Sequence, residues 1–239
     1  MSAQFYVSPE QLMKDRADFA RKGIARGRSV IVASCRDGIA LIAENPSRTL
    51  RKIGEIYDRI GFAAVGKYNE FESLRQAGVR YADTRGYSYD REDVTGRGLA
   101  SVYAQSLGAV FTAESKPFEV ELAIAEVGEE PASDELYRVN FDGSISDEPG
   151  LVVMGGDARS LAEAMDAAWA GRELATAGFD EVIRTAAAAL PEVSGPDAVD
   201  LLEVAVLERS PVDRPLTGRT FKRRGKDEIL RALAGKDGA

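Results

Sequence analysis

The sequence predicts an α+β fold, a four-layer α-β-β-α sandwich of two antiparallel sheets flanked by helix pairs, with an extra N-terminal helix. Consecutive strand patterns favour antiparallel pairing, because short turns can join antiparallel neighbours but not parallel ones. Two pairs of helical patterns interrupt the strands, and several strands are apolar on both faces, so each sheet needs a cover on both sides. The chain has 239 residues, of which 44% are hydrophobic, and we expect a single domain over 1–239.

An N-terminal helix is predicted over 8–26. Ser8 followed by Pro9 is a typical helix start, since serine can cap the helix and proline fits its first position. Residues 1–7 are expected to form a flexible leader, and 27–239 the sandwich core. The apolar stripe of this helix is narrow and has little core to join, so we expect the helix to pack on neighbouring subunits through Met13, Ala17, Ala20 and Ile24.

Strand patterns dominate the next part of the chain. An Asp-Gly turn at 37–38 separates two apolar, β-branched runs at 29–35 and 39–45, which indicates a hairpin. A short strand near 52–58 then leads into a second apolar run at 60–66. We expect these four strands to belong to one sheet.

Two helix pairs alternate with the remaining strands. The first pair begins with a helix at 68–86, and its second helix begins near Asp93 or Thr95, since either residue can cap it. The remaining elements, in chain order, are strands at 118–127 and 135–141, a short piece ending at 151–156, helices at 158–170 and 179–190, a strand at 201–208 that closes the sheets, and a last helix at 226–235.

Residue counts exclude many kinds of active site. The chain has no histidine and a single cysteine, Cys35, which excludes histidine-based triads, histidine-liganded zinc and an intrachain disulfide. The net charge is −8 and the basic cluster at 221–226 is short, so we expect no nucleic-acid partner. No apolar run is long enough for a membrane span, and the start lacks a signal-peptide pattern. A cytoplasmic protein without membrane contact, metal or cofactor is therefore expected.

Several stretches, in a fixed order, carry a resemblance to a known family: ADFARKGIARGRSVIVA at 17–33, DGIALIAEN at 37–45, LRKIGEIYDRIGFAAVG at 50–66, RGYSYDRED at 85–93 and TAESKPFEVEL at 112–122. With them, essentially the whole chain resembles the α-type subunits of 20S proteasomes, most closely those of actinobacteria, which share the fold of N-terminal-nucleophile hydrolases. The resemblance implies a non-catalytic, seven-membered α-ring in ATP-dependent protein degradation. Such a ring stacks on β-subunits, admits protein substrates and receives the C-terminal tails of a hexameric ATPase activator.

The same resemblance implies two sites. Lys52 would bind the terminal carboxylate of an activator tail, for which a compact ammonium is suited. Gly27, Gly66 and, from the leading helix, Asp18 would line the same pocket between neighbouring subunits. The gate would be formed by the leader and the helix start, with Phe5, Tyr6, Ser8 and Pro9.

Catalytic residues are not implied. The β-subunits act through a free N-terminal threonine at the start of the first strand, where this sequence has Gly27, Arg28 and Ser29 behind a helix. The alternative is a self-processing amidohydrolase of the same fold that is cleaved before Ser29. The sequence also departs from the family pattern: the Y-D-R box near the N-terminus is missing, and Lys116 and Glu119 replace Arg and Gly in the R-P-Y-G segment.

Overall fold

The computed structural model of the protein describes residues 8–193, 198–209 and 219–235. The helices in these ranges are α1 (Pro9–Ile24), α2 (Tyr68–Ser88), α3 (Gly96–Ala113), α4 (Ala158–Ala168), α5 (Phe179–Ala189) and α6 (Lys226–Ala234). The strands are β1 (Val30–Cys35), β2 (Gly38–Glu44), β3 (Ile53–Tyr57), β4 (Ile60–Gly66), β5 (Val120–Glu126), β6 (Glu135–Val139), β7 (Ile145–Asp147), β8 (Leu151–Met154), β9 (Leu202–Glu208) and β10 (Phe221–Arg223). None of these helices has the length and apolar composition needed to cross a membrane.

The strands form two five-stranded sheets, ordered β10-β9-β2-β1-β8 and β3-β4-β5-β6-β7, and every pairing is antiparallel. Helices α4, α5 and α6 cover the outer face of the first sheet. Helices α2 and α3 cover the outer face of the second. The predicted α-β-β-α sandwich with an extra N-terminal helix is therefore confirmed.

Strand β1 shows why the central strands are apolar on both faces. Ile31 and Ala33 point to the outer helices, whereas Val30 and Val32 point to the second sheet. All four side chains are fully buried. Burying a valine or isoleucine side chain stabilises the fold by about 1.5–3 kcal/mol, so this run holds β1 in the middle of the sandwich.

The expectation that the first four strands share one sheet is wrong. Strands β1 and β2 lie in the first sheet and β3 and β4 in the second, and the chain crosses between them over 45–52. An apolar pattern indicates that both faces are covered, but it does not identify the neighbouring strand, which for β2 is the distant β9. The sequence did not place the edge strands β7 and β10 in either sheet, because each has only three residues. The first sheet therefore ends at β10 rather than at β9.

Capping hydrogen bonds mark two of the predicted helix starts. The Ser8 side chain accepts a first-turn backbone N–H of α1 at 3.2 Å, and Pro9 is the first residue of that helix. Thr95 caps α3, since its Oγ1 accepts from the Gly98 N–H at 3.1 Å. Asp93 instead ends a short 3-10 turn before that helix.

Helix α1 joins the core more than its narrow stripe predicted. Ala20 and Ile24 are buried in the cluster between the two sheets, which corrects the expectation that this helix has little core to join. Arg16 adds a polar anchor, since its Nη1 donates at 2.7 Å to the Phe111 carbonyl, one of the last-turn carbonyls of α3. Leu12 in the first turn is 44% exposed, so the second half of α1 makes the contact with the sandwich. Packing of α1 on neighbouring subunits stays a prediction.

Candidate docking site at Lys52

Lys52 lies in the loop that crosses between the sheets, one residue before β3. Its backbone N–H donates to Glu203 Oε2 at 2.9 Å. The same carboxylate accepts from Asn45 Nδ2 at 2.7 Å and from Arg223 Nη1 at 2.7 Å, and Glu203 is only 3% exposed. A buried carboxylate with this many partners is well satisfied, so it holds the backbone at Lys52 in place.

The Lys52 ammonium is half-buried at the start of β1, where Nζ donates to the Arg28 carbonyl at 2.6 Å. Burial lowers the pKa of Lys52 to about 8, because removal from water disfavours the charged form; Glu44 and Glu203 oppose this shift and the Arg28 guanidinium adds to it. Both carboxylates pair with arginines instead, Glu44 with Arg28 and Glu203 with Arg223. Within the described ranges, Lys52 is therefore a partly desolvated cation without an ion-pair partner.

Two glycines allow the backbone to pack closely beside this lysine. A Cβ added to Gly27 would lie 2.5 Å from Val65 Cγ1 and 3.2 Å from the Gly66 nitrogen. Gly66 has a φ of +112°, which L side chains rarely adopt, and an added Cβ would lie 1.9 Å from the Glu119 carbonyl oxygen. The residue after Gly27 is Arg28, whose carbonyl receives the Lys52 hydrogen bond. The structure thus brings Lys52, Gly27 and Gly66 to one end of the sandwich.

Asp18 is separate from this group. It lies on α1, and its Oδ1 accepts from Arg21 Nη1 of the same helix at 3.3 Å. In the part of the chain that the structure describes, it makes no hydrogen bond or ion pair with Lys52, Gly27 or Gly66. We call Lys52, Gly27 and Gly66 the candidate docking site, and the role of Asp18 stays a prediction.

Sequence reasoning missed three residues that determine the surroundings of Lys52. Glu44 and Glu203 are carboxylates within apolar strand patterns, and both are buried. Because buried carboxylates are rare unless paired, a glutamate within an apolar strand pattern indicates a cationic partner elsewhere in the chain. Arg28 pairs with Glu44 and accepts the Lys52 hydrogen bond, but no local pattern singled it out.

The departures from the family pattern at Lys116 and Glu119 form one network beside the site. The Glu119 carboxylate pairs with Lys67 Nζ at 2.9 Å and with Lys116 Nζ at 3.1 Å. Burial acts to raise the pKa of Glu119, but the two lysines outweigh it and the net pKa is lowered. The carboxylate lies against Gly23 of α1, where an added Cβ would be 2.2 Å from Glu119 Oε1. The network therefore joins α1 to the start of β5.

Of the four predicted gate residues, two lie within the part of the chain that the structure describes. Phe5 and Tyr6 lie outside the described residues. Ser8 and Pro9 are the cap and first residue of α1, so they mark the point at which the chain enters that helix.

Comparison with known proteins identifies the family. A family model described as "Proteasome subunit" matches residues 24–207. A proteasome subunit alpha of Arthrobacter sp. (strain FB24) is 66% identical over 236 residues, which are 98% of this chain and 99% of that protein. Those of Pseudarthrobacter chlorophenolicus and Kineococcus radiotolerans are 64% and 58% identical over 240 residues, 98% of this chain and 100% and 99% of theirs. These relatives favour an α-type subunit over the self-processing alternative cleaved before Ser29. The chain therefore belongs to the proteasome subunit family, among the α-type subunits of actinobacteria.

Proposed function

We propose that this chain is a non-catalytic α-ring subunit of a cytoplasmic proteasome core, which receives the C-terminal tail of an ATPase activator at Lys52 and gates substrate passage with its leader. Seven copies form the ring and stack on β-subunits, which hold the proteolytic threonine. Protein substrates pass through the ring to reach them. The identity of the relatives supports the subunit type, and the surroundings of Lys52 support the docking role.

The observation that carries the docking role is the half-buried Lys52 ammonium bonded to a neutral carbonyl. A terminal carboxylate would replace the Arg28 carbonyl as the partner of Nζ. The bond to the carbonyl is already strengthened by the charge of the ammonium, and a carboxylate would add the attraction between opposite charges, which is stronger in a partly desolvated site than in water. The cost of burying the ammonium is already met in the unbound site, so a tail needs only to supply the negative charge.

Replacing Lys52 by Ala tests this role in the complete core particle with its activator. We expect activator-stimulated protein degradation, at subsaturating activator, to fall by about tenfold or more, because a hydrogen bond to a charged group contributes about 1.5–3 kcal/mol. Degradation rates against activator concentration measure the change, and native mass spectrometry verifies that the ring still assembles.

Lys222→Ala is the matched control. Lys222 lies on β10, is 58% exposed and pairs with Glu208, so its loss removes a lysine without touching the candidate docking site. Stimulation should survive in this variant. Full stimulation of the Lys52→Ala complex would refute the docking role.

The gating role concerns the leader, residues 1–7. The proposal is that the aromatic side chains of Phe5 and Tyr6 meet those of neighbouring leaders at the ring axis, where a plug of this kind would exclude folded proteins. Ser8 and Pro9 begin α1, so each leader departs from a capped helix that is seated on its own sandwich.

Deleting residues 2–7 tests the gate while keeping the Ser8 cap. We expect hydrolysis of short peptides by the assembled complex to rise several-fold without activator, as measured with a fluorogenic substrate. Lys222→Ala, which leaves the leader and the start of α1 unchanged, serves as the control. Equal rates for the deletion and the parent complex would argue against a gate.

A further inference from the structure

Basic side chains gather beside Lys52 although the chain as a whole is acidic, with a net charge of −8. The loop between β2 and β3 carries Arg48 and Arg51, both of which are exposed, and Lys52 follows directly. We call Arg48 and Arg51 the basic rim. Charge of one sign concentrated on an oppositely charged protein attracts a complementary partner.

The loop that carries the basic rim is held by its own hydrogen bonds. Asn45, which is only 6% exposed, donates through Nδ2 to the Leu50 carbonyl at 2.7 Å. Its Oδ1 accepts from the Ser47 N–H at 3.0 Å, and Ser47 Oγ accepts from the Leu50 N–H at 3.0 Å. Because the loop backbone is already ordered, a ligand of the rim would not have to order it on binding.

A cavity of about 350 Å³ opens beside the basic rim. The three other basic residues that line it are already paired: Arg223 with Glu203, Arg224 with Glu208 and Glu228, and Lys226 with Asp200. Across the described ranges, the rim arginines form no ion pair. Glu203 lines the cavity and also accepts the backbone N–H of Lys52. The cavity and the candidate docking site therefore share one buried carboxylate.

We propose that the segment docking at Lys52 carries acidic side chains just upstream of its terminal carboxylate, and that the basic rim binds them. This inference rests on the proposed function and specifies the chemistry of the tail. Arg51 adjoins Lys52, with Cα atoms about 3.8 Å apart, and an extended peptide advances about 3.3 Å per residue. The rim therefore lies within reach of the last few tail residues, and guanidinium groups bind carboxylates with bidentate hydrogen bonds.

A nucleic acid fits this surface less well than an acidic peptide. Binding of a phosphate backbone draws its affinity from several neutralised phosphates along a broad basic face. The rim is one short loop on a chain of net charge −8, next to a lysine that already suits a terminal carboxylate. The observations therefore favour the peptide.

Peptide binding to the assembled core particle tests the inference. Three labelled peptides share one length and one terminal sequence: glutamates upstream with a free carboxylate, glutamines upstream with a free carboxylate, and glutamates upstream with an amidated terminus. We expect the glutamate peptide to bind about fivefold more tightly than the glutamine peptide, since two exposed ion pairs are gained. This preference should weaken with added salt and vanish in the Arg48→Gln/Arg51→Gln variant. Arg80→Gln, at an exposed position of α2, should keep it.

The outcomes separate this inference from the proposed function. Equal affinity for the glutamate and glutamine peptides, or a preference that survives loss of the rim, overturns the inference alone, provided that the free carboxylate still binds more tightly than the amide. If the carboxylate and amide peptides bind equally to the parent complex, the docking role fails and the inference fails with it. A single-stranded oligonucleotide that binds through the rim more tightly than the glutamate peptide would also overturn the inference.

Discussion

Two basic side chains lie at opposite ends of strand β1 and differ in their surroundings. At the end near Cys35, the Arg209 side chain is only 8% exposed, and its guanidinium donates to both carboxylate oxygens of Asp134 at 2.8 Å. It also donates to the Cys35 carbonyl at 3.1 Å. At the other end, Lys52 Nζ donates to the Arg28 carbonyl and, within the described residues, to no carboxylate.

The difference separates a cation that is paired within the chain from one that is proposed to bind a ligand. Asp134 also accepts from Ser34 Oγ at 2.6 Å and from the Gly128 N–H at 2.9 Å, so the charges at the Arg209 end are satisfied within the chain. A buried pair of this kind contributes little by itself, but removing one member leaves the other uncompensated. Among the described residues, the acceptor of Lys52 is a neutral carbonyl, which a charged ligand would replace under the proposed docking role.

Loss of the Arg209–Asp134 ion pair should have the largest effect on the free energy of unfolding. We expect Arg209→Ala to lower the free energy of unfolding by about 3–5 kcal/mol, because Asp134 would be left as an unpaired buried charge. Urea denaturation of the purified chain measures this. Arg172→Ala removes an exposed arginine that pairs with Glu181 at 2.7 Å and should cost at most about 1 kcal/mol. A similar loss in both variants would contradict the contrast between paired burial and surface pairing.

Substitution of a glycine near Lys52 should have the next largest effect on the free energy of unfolding. We expect Gly66→Ala to cost about 3 kcal/mol, since the positive φ is strained for alanine and its Cβ would lie 1.9 Å from the Glu119 carbonyl oxygen. Gly171→Ala isolates the first cause, because Gly171 has a φ of +81° with nothing within 4 Å of an added Cβ. The difference between the two variants in urea denaturation measures the close contact. Equal costs would show that the backbone at Gly66 can move away.

The smallest of the expected effects is the change in tail affinity as Lys52 loses its proton. The unbound pKa is about 8, and a bound carboxylate raises it by favouring the ammonium. Tail affinity should therefore be full below pH 8 and fall as the pH rises through 8, by up to about tenfold per pH unit. The charged groups that face Lys52 are Glu44, Arg28 and Glu203.

Peptide dissociation constants measured across this pH range provide the test. Lys52→Arg is the control, because a guanidinium stays charged well above pH 8 and its profile should be flat. The same decline in both proteins would mean that another group titrates.

The hairpin of β1 and β2 could be predicted almost to the residue, whereas its place in the sandwich could not. The apolar runs and the turn at 37–38 determine the hairpin locally, because side-chain alternation and turn geometry set its register. The sheet to which β2 belongs is determined by its pairing with β9, which lies far along the chain. The backbone at Lys52 is likewise held by a hydrogen bond to the distant Glu203. A pattern of buried residues does not encode these partners.

The docking role of the candidate site stays a prediction, and the chemical surroundings of its residues could not be predicted from the sequence. The family resemblance selected Lys52, Gly27 and Gly66, and the structure brings them together. The lowered pKa of Lys52 arises from burial and from contacts with residues distant in sequence, which no local motif describes. Asp18 was selected by the same resemblance, yet its side chain contacts Arg21 on its own helix.

The Glu119 carboxylate fills the space that a side chain at position 23 would need, since a Cβ added to Gly23 would lie 2.2 Å from Glu119 Oε1. In evolutionary terms the two positions are therefore coupled. Lineages that carry a side chain at position 23 are expected to carry a small residue at 119, such as the glycine of the R-P-Y-G segment. Lys67 and Lys116 neutralise the carboxylate, so a lineage that loses the carboxylate also loses the constraint on these two lysines.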